Sequence, residues 1–314
     1  NVDFDDQRLI AMMNKVAEMK TAAIALYQKA GGKDSLELMP SIPSHGTLDE
    51  YLKVAAQVGV MKPDTLNADL RSLRELLTYG LKGICAYAFH AREFGKFNTD
   101  AEAVILKCFA ATTDENTTVD QYVSLNLELG GANITVMDVL QNGAVEKYGA
   151  PQPTPVEIGV RKGKCILVSG HDLIDLEALL KQTEGRGISI YTHGEMLPAH
   201  GYPGLKKYKH LAGNYGGAWQ DQATEFDAFP GSILMTTNCI QKPRESYKAR
   251  IFTTGLVGWP GVTHIPDRNF SKVIDAALAA PGFPADKPVK EILVGFSHQA
   301  VLGVADKVIE AVKT

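Results

Sequence analysis

ILVSGHD (Ile166–Asp172), IYTHGE (Ile190–Glu195) and ILMTTNC (Ile233–Cys239) decide how this chain folds. Each runs apolar and β-branched for a few residues, the mark of a strand, and then stops at a side chain able to bind metal. His171, Glu195 and Cys239 therefore fall at the carboxyl ends of successive strands. In an open parallel α/β sheet those ends line one crevice, where ligands bind.

The same period holds from Val156 onward. Strands are predicted at 165–169, 188–192, 233–237, 250–253 and 291–295, and helices at 173–182, 204–210, 220–228, 271–280 and 299–313. Such alternation means βαβ units and a Rossmann-like, mostly parallel sheet. Residues 1–155 instead show helical spacing. Asp5 or Asp6 caps a helix with Leu9, Met12, Val16, Met19 and Ala23 on one face, stopped by Gly31-Gly32. Pro40 and Pro43 mark a loop. Thr47-x-x-Glu50 forms a capping box for a helix through Val58, and Asn67 caps a long helix that carries Leu70, Leu77 and Ile84 and ends at Gly95. Helices follow at 100–111 and 119–140. Gly143, Gly149, Pro151, Pro153 and Pro155 make a linker, so a helical bundle over 1–155 precedes the α/β domain over 156–314.

The 314 residues are 45% hydrophobic, enough to bury real cores, and carry a net charge of −4 with Lys and Arg scattered. That argues against a nucleic-acid footprint and a polybasic membrane patch. No apolar run spans a bilayer, and the acidic start NVDFDD is unlike a signal peptide, so a cytoplasmic protein is expected. Cys85, Cys108, Cys165 and Cys239 form no CxxC pair and indicate neither a zinc ribbon nor a disulfide framework. The chain starts at Asn and ends inside a helical pattern, which reads as a piece of something longer.

Nucleotide and hydrolase signatures are missing. The first strand of the sheet runs into Ser169-Gly170-His171-Asp172 in place of GxGxxG, and there is no GxSxG elbow. Each of His171, Glu195 and Cys239 has a structural reading when taken singly, since buried cysteines and turn histidines are common. Taken together, imidazole nitrogen, carboxylate oxygen and thiolate sulfur suit iron or zinc and argue against magnesium or calcium. Three protein ligands and an open position make a catalytic metal. His193 and His200 flank Glu195 as partners that hold it, as proton donors, or as loop residues bonded to backbone.

SGHDL at 169–173, YTHGEMLPAHGYP at 191–203, GNYGGAWQDQ at 213–222, TTNCI at 236–240 and VGWPGVTHI at 257–265 closely resemble the hybrid cluster protein family, also called prismane proteins or hydroxylamine reductases. KYGAPQPT at 147–154 fits as well. The resemblance implies a helical domain followed by two Rossmann-like domains. It also implies a hybrid iron–sulfur–oxygen cluster of the 4Fe-2S-2O type, held by one histidine, two glutamates and four cysteines. His171, Glu195 and Cys239 match three of those ligands, each by its own motif. The remaining ligands, a third domain, and the N-terminal cysteine motif of a second iron–sulfur cluster have no counterpart in this chain. The implied activity is reduction of hydroxylamine or nitric oxide with electrons from a redox protein. Two other readings stay open: a non-catalytic α/β binding or scaffold module, and a mononuclear zinc hydrolase using the same three residues.

Overall fold

The structure is a computed structural model and describes residues 3–33, 45–58 and 66–313. The loop expected at Pro40 and Pro43 lies outside the described residues. The chain divides into two compact units, one of residues 5–141 and one of the residues from Asn142 onward joined by those before Asp5.

Five helices account for the described residues of the first unit: α1 (Asp6–Lys29), α2 (Leu48–Val58), α3 (Ala68–Glu93), α4 (Thr99–Ala111) and α5 (Val119–Tyr148), the last running on across the division. Their starts follow the caps written in the sequence. Asp5 accepts from the backbone N–H groups of Gln7 and Arg8, and Asn67 from those of Asp69 and Leu70. Thr47 and Glu50 close the expected reciprocal box, the Thr47 backbone N–H donating to Glu50 Oε2 at 2.7 Å. The core is built from Leu77, Leu81 and Ile84 of α3, Ile105 and Cys108 of α4, and Tyr122, Leu125, Leu129 and Val136 of α5. None of the described residues of α1 is buried, so its stripe of Leu9, Met12, Val16 and Met19 stays exposed. Helix α5 continues past its expected end at 140. A glycine inside a helix costs about 1 kcal/mol, and burial of Ala144 and Tyr148 beyond Gly143 outweighs it.

The second unit begins with β1 (Thr154–Glu157), β2 (Lys164–Ser169), α6 (Leu173–Thr183) and β3 (Ile188–His193). A 3₁₀ turn over Gly194–Gly201 leads into α7 (Pro203–Lys206), β4 (Leu211–Asn214), α8 (Gln222–Ala228) and β5 (Ser232–Met235). Then come α9 (Glu245–Lys248), β6 (Ile251–Thr254), β7 (Thr263–Ile265), α10 (Ser271–Ala279), β8 (Glu291–Val294), α11 (His298–Leu302) and α12 (Ala305–Lys313). Six strands form one sheet in the order β4-β3-β2-β5-β6-β7, every pair parallel. Strand order reverses between β2 and β5, the place where doubly wound sheets open a crevice.

Three strands escape the sequence pattern. Strand β1 holds Pro155 and pairs antiparallel with β8 in a separate two-stranded ribbon, an arrangement whose free edges tolerate proline. Strand β4 hides behind the polar run Lys206–His210, and β7 is only three residues long. The helix expected over 204–210 is one turn, Pro203–Lys206, and the one expected over 299–313 breaks after Leu302.

Arg250 closes the passage from α8 into β5. Its guanidinium donates to the carbonyls of Phe226, Asp227, Phe229 and Gly231, groups that no helix or ladder bond satisfies. Replacing it by Met is expected to lower stability in urea by about 2–3 kcal/mol, the worth of one or two charge-assisted bonds after water recovers the rest. The exposed Arg161–Glu157 pair is expected to give under about 1 kcal/mol when Arg161 is replaced in the same way.

Candidate metal centre

Register alone brings the three candidates nearly level. Ser169 at the end of β2 lies opposite His193 on β3 and opposite Met235 on β5. His171 and Glu195 each follow two residues beyond that row, and Cys239 follows four beyond. The backbone absorbs the difference locally. Gly170 takes φ +114° and lies so close to the β5 loop that a Cβ there would stand 2.4 Å from Thr236 Oγ1 and 2.7 Å from the Thr237 backbone nitrogen. Gly194 turns the chain ahead of Glu195 at φ +56°, and Cys239 itself adopts φ +78°. Glycine enters that region without penalty, whereas a cysteine there carries strain of about 1–3 kcal/mol.

What holds Cys239 in that conformation is a buried amide. Gln222 Nε2 donates to the Cys239 carbonyl at 2.6 Å, and Gln222 Oε1 accepts from the Gln241 backbone N–H at 2.9 Å. Two such bonds contribute about 1–3 kcal/mol together, enough to offset the strain.

The donor atoms meet at one carboxylate oxygen. His171 Nε2 lies 2.7 Å from Glu195 Oε2, and the Cys239 thiol donates to the same oxygen over 3.6 Å. All three donor atoms lie within 4.8 Å of one another. That spread is comparable to twice a metal–donor bond of about 2.0–2.3 Å. His171 and Glu195 are exposed and Cys239 is partly covered, which leaves one side open. Burial pushes the Cys239 thiol up to about 11, and the Glu195 charge adds to the rise. A cation among the three would favour the thiolate and work against both effects.

His193 and His200 stand elsewhere. The His193 ring is buried, its Nε2–H donating to Glu225 Oε2 at 2.8 Å while Nδ1 accepts from the Ser169 hydroxyl at 3.1 Å. Burial lowers its pKa, and Glu225 opposes the shift in part. His200 Nε2 bonds Thr192 Oγ1 at 2.9 Å, and that hydroxyl donates onward to Asn214 Oδ1 at 2.8 Å. Trp219 of the GNYGGAWQDQ stretch is exposed, whereas Gln222 reaches the Cys239 backbone, Asn214 donates to the Gly216 carbonyl within the stretch, and the Gly217 backbone N–H donates to Glu225 on α8.

Sequence reasoning did not single out Thr237, Gln222, Glu225 or Ser169. All but Glu225 lie inside the motifs quoted above, but nothing in residue type or spacing distinguishes a hydroxyl or amide that holds a neighbour from one that faces water.

His200 gives a pH test. Burial takes its pKa from 6.5 to about 4, against a hydrogen bond to the Gly213 backbone. The folded form thus refuses a proton that the unfolded chain accepts, so stability is complete above pH 6.5 and declines as pH falls toward 4. Between pH 7.5 and 4, chemical denaturation should show the unaltered chain losing about 3 kcal/mol more than His200→Gln does.

A family model described as the Prismane/CO dehydrogenase family matches residues 1–314. A relative from Syntrophobacter fumaroxidans named hydroxylamine reductase is 50% identical over 314 residues, covering 100% of this chain and 58% of its own length. Relatives of that name from Geobacter metallireducens and Geobacter sulfurreducens are 51% and 52% identical, again over 100% of this chain and 58% of theirs. The chain therefore spans less than two thirds of the curated relatives it matches. A solved structure of the alpha subunits of acetyl-CoA synthase/carbon monoxide dehydrogenase, titled for its NiZn[Fe4S4] and NiNi[Fe4S4] clusters, aligns with 94% of this chain and 47% of its own. Its 14% identity and TM-score of 0.49 are too slight to bear on the fold. No helix among the described residues is long and apolar enough to cross a membrane.

Proposed function

The chain belongs to the Prismane/CO dehydrogenase family, and on that premise we propose that it forms part of an iron–sulfur oxidoreductase of the hybrid-cluster type, with His171, Glu195 and Cys239 as metal ligands. The observation that carries this reading is the convergence of a nitrogen, an oxygen and a sulfur donor within 4.8 Å at the switch point of a parallel sheet. The mixed donor set suits iron or zinc and argues against the hard cations. Names of the relatives that cover this whole chain point the same way, and supply hydroxylamine as the substrate. Nitric oxide is the second substrate of the reading, and the ligand motifs support a mixed iron–sulfur–oxygen cluster.

When bound, such a cluster supplies stored electrons and a coordination position for a small nitrogen compound. The reaction assigned here breaks the N–O bond of hydroxylamine with two electrons and two protons, giving ammonia and water. Its electrons come from a redox protein, and the same reading places the enzyme in the cytoplasm. Cys239 and His171 hold their side of the group as soft and borderline donors. Glu195, the hardest donor and the most exposed, is the one that can leave and return during turnover. His193 and His200, whose rings are buried and hydrogen-bonded within the fold, are assigned to hold the Glu195 loop or to supply protons.

Iron, acid-labile sulfide and hydroxylamine-dependent ammonia release, measured on the full-length protein that carries this chain, test the proposal. Cys239→Ala and Glu195→Gln are each expected to lower turnover by at least about 100-fold, the upper end of what loss of an outer partner costs. A single zinc without sulfide would instead identify a zinc hydrolase, and protein free of metal would identify a scaffold module.

A further inference from the structure

We infer that Thr237 is the positioning residue that selects which nitrogen of His171 is offered to the metal. The inference rests on the ligand assignment proposed above and concerns a residue that assignment leaves out. His171 directs Nε2 toward the other two donors and Nδ1 toward Thr237, whose Oγ1 lies 2.7 Å away. A ring nitrogen that ligates must be free of its proton, so the one proton of a neutral imidazole then sits on the other nitrogen. Here that nitrogen is Nδ1, and the Thr237 oxygen can accept from it. When Nε2 instead keeps its proton for the Glu195 carboxylate, the same hydroxyl turns and donates to Nδ1. A carbonyl could serve only the first arrangement and an amide N–H only the second, whereas a hydroxyl serves both.

Thr237 is also fixed well enough to act this way. It is 2% exposed. Its backbone nitrogen and its hydroxyl both lie against Gly170, where a Cβ would come within 2.7 and 2.8 Å of them. The neighbouring Thr236 backbone N–H donates to the Ser169 carbonyl at 2.9 Å, and the Thr236 hydroxyl bonds that carbonyl too, at 3.2 Å. Residue 237 thus sits between two ligands, packed against the residue before His171 and placed two residues before Cys239. A threonine rather than a serine suits the place, because its branched Cβ restricts χ1 and so aims the oxygen.

The test titrates the metal-free full chain with cobalt(II), reading the d–d and thiolate-to-cobalt absorption bands, and assigns the His171 tautomer by ¹⁵N NMR of histidine-labelled protein. Thr237→Val keeps the shape and removes the hydroxyl. It is expected to weaken cobalt binding about 10–100-fold and shift the d–d bands, the cost found when a ligating histidine loses its outer partner. Thr237→Ser is expected to bind within about 3-fold of the unaltered chain, a smaller change than loss of the partner brings. Melting temperatures establish that each variant is folded, and Thr237→Ala takes the place of the valine variant if that one is not. Unchanged affinity and tautomer in Thr237→Val, with binding lost in His171→Ala, would overturn the inference and leave the ligand assignment standing. Equal weakening in the valine and serine variants would also overturn it, since the hydroxyl would then not be the cause. Cobalt binding that is absent, or that survives His171→Ala, would overturn both.

Discussion

Parallel pairing of β2 with β3 on one side and β5 on the other is the constraint from which the rest of the second unit follows. Parallel ladders need long crossovers, and those crossovers here are α6 and the stretch from the 3₁₀ turn through α8. Because all three strands run the same way, their carboxyl ends open on one side of the sheet. Because the order reverses between β2 and β5, the loops leaving these two strands diverge and leave a gap between them. Chemistry at that gap is a consequence of topology first and of residue type second. Buried Ile166, Leu167, Val168, Ile233, Leu234 and Met235 hold the pairing with no polar partner to satisfy, so the register is set by shape and backbone bonds alone.

Much of this was legible in the sequence, for reasons that differ by element. The β2, β3 and β5 strands announce themselves as short apolar runs ending at glycine, threonine or histidine, and the helix starts at Asp5, Thr47 and Asn67 carry explicit caps. Strand β4 did not, because Leu211–Asn214 contains two small residues and one amide and owes its place to pairing with β3. The extent of α5 did not either, since Gly143 and Gly149 look alike in sequence. Only the second has φ above zero, at +82°, and ends the helix. The apolar stripe of α1 was legible as one helix face, and that face is exposed. Periodicity reports that a face is apolar and says nothing about what covers it.

Around the three donors the legible part was the donors themselves. Invisible were the neutral groups that hold two of them, the Thr237 hydroxyl on His171 and the Gln222 amide on the Cys239 backbone, and the Glu225 carboxylate that joins His193 to the Gly217 backbone N–H nearby. These are ordinary polar residues whose partners come from distant parts of the chain. Gln222 reaches a residue 17 positions away and Thr237 one 66 positions away. Local pattern cannot encode such pairs. The fold supplies them once the sheet has closed.

Cys239 is the thermodynamically wrong residue for its own backbone. At φ +78° glycine would be at ease and asparagine nearly so, and either would relieve strain that the cysteine carries. On the proposed ligand assignment, stability and ligation therefore pull this position in opposite directions. A lineage that ceased to need the sulfur would gain stability by a single step to glycine, with the sheet and the Gln222 clamp unaffected. Under that assignment the residue at position 239 would serve as a marker of use: cysteine where the proposed centre is maintained against the gradient of folding energy, glycine or asparagine where it has been given up.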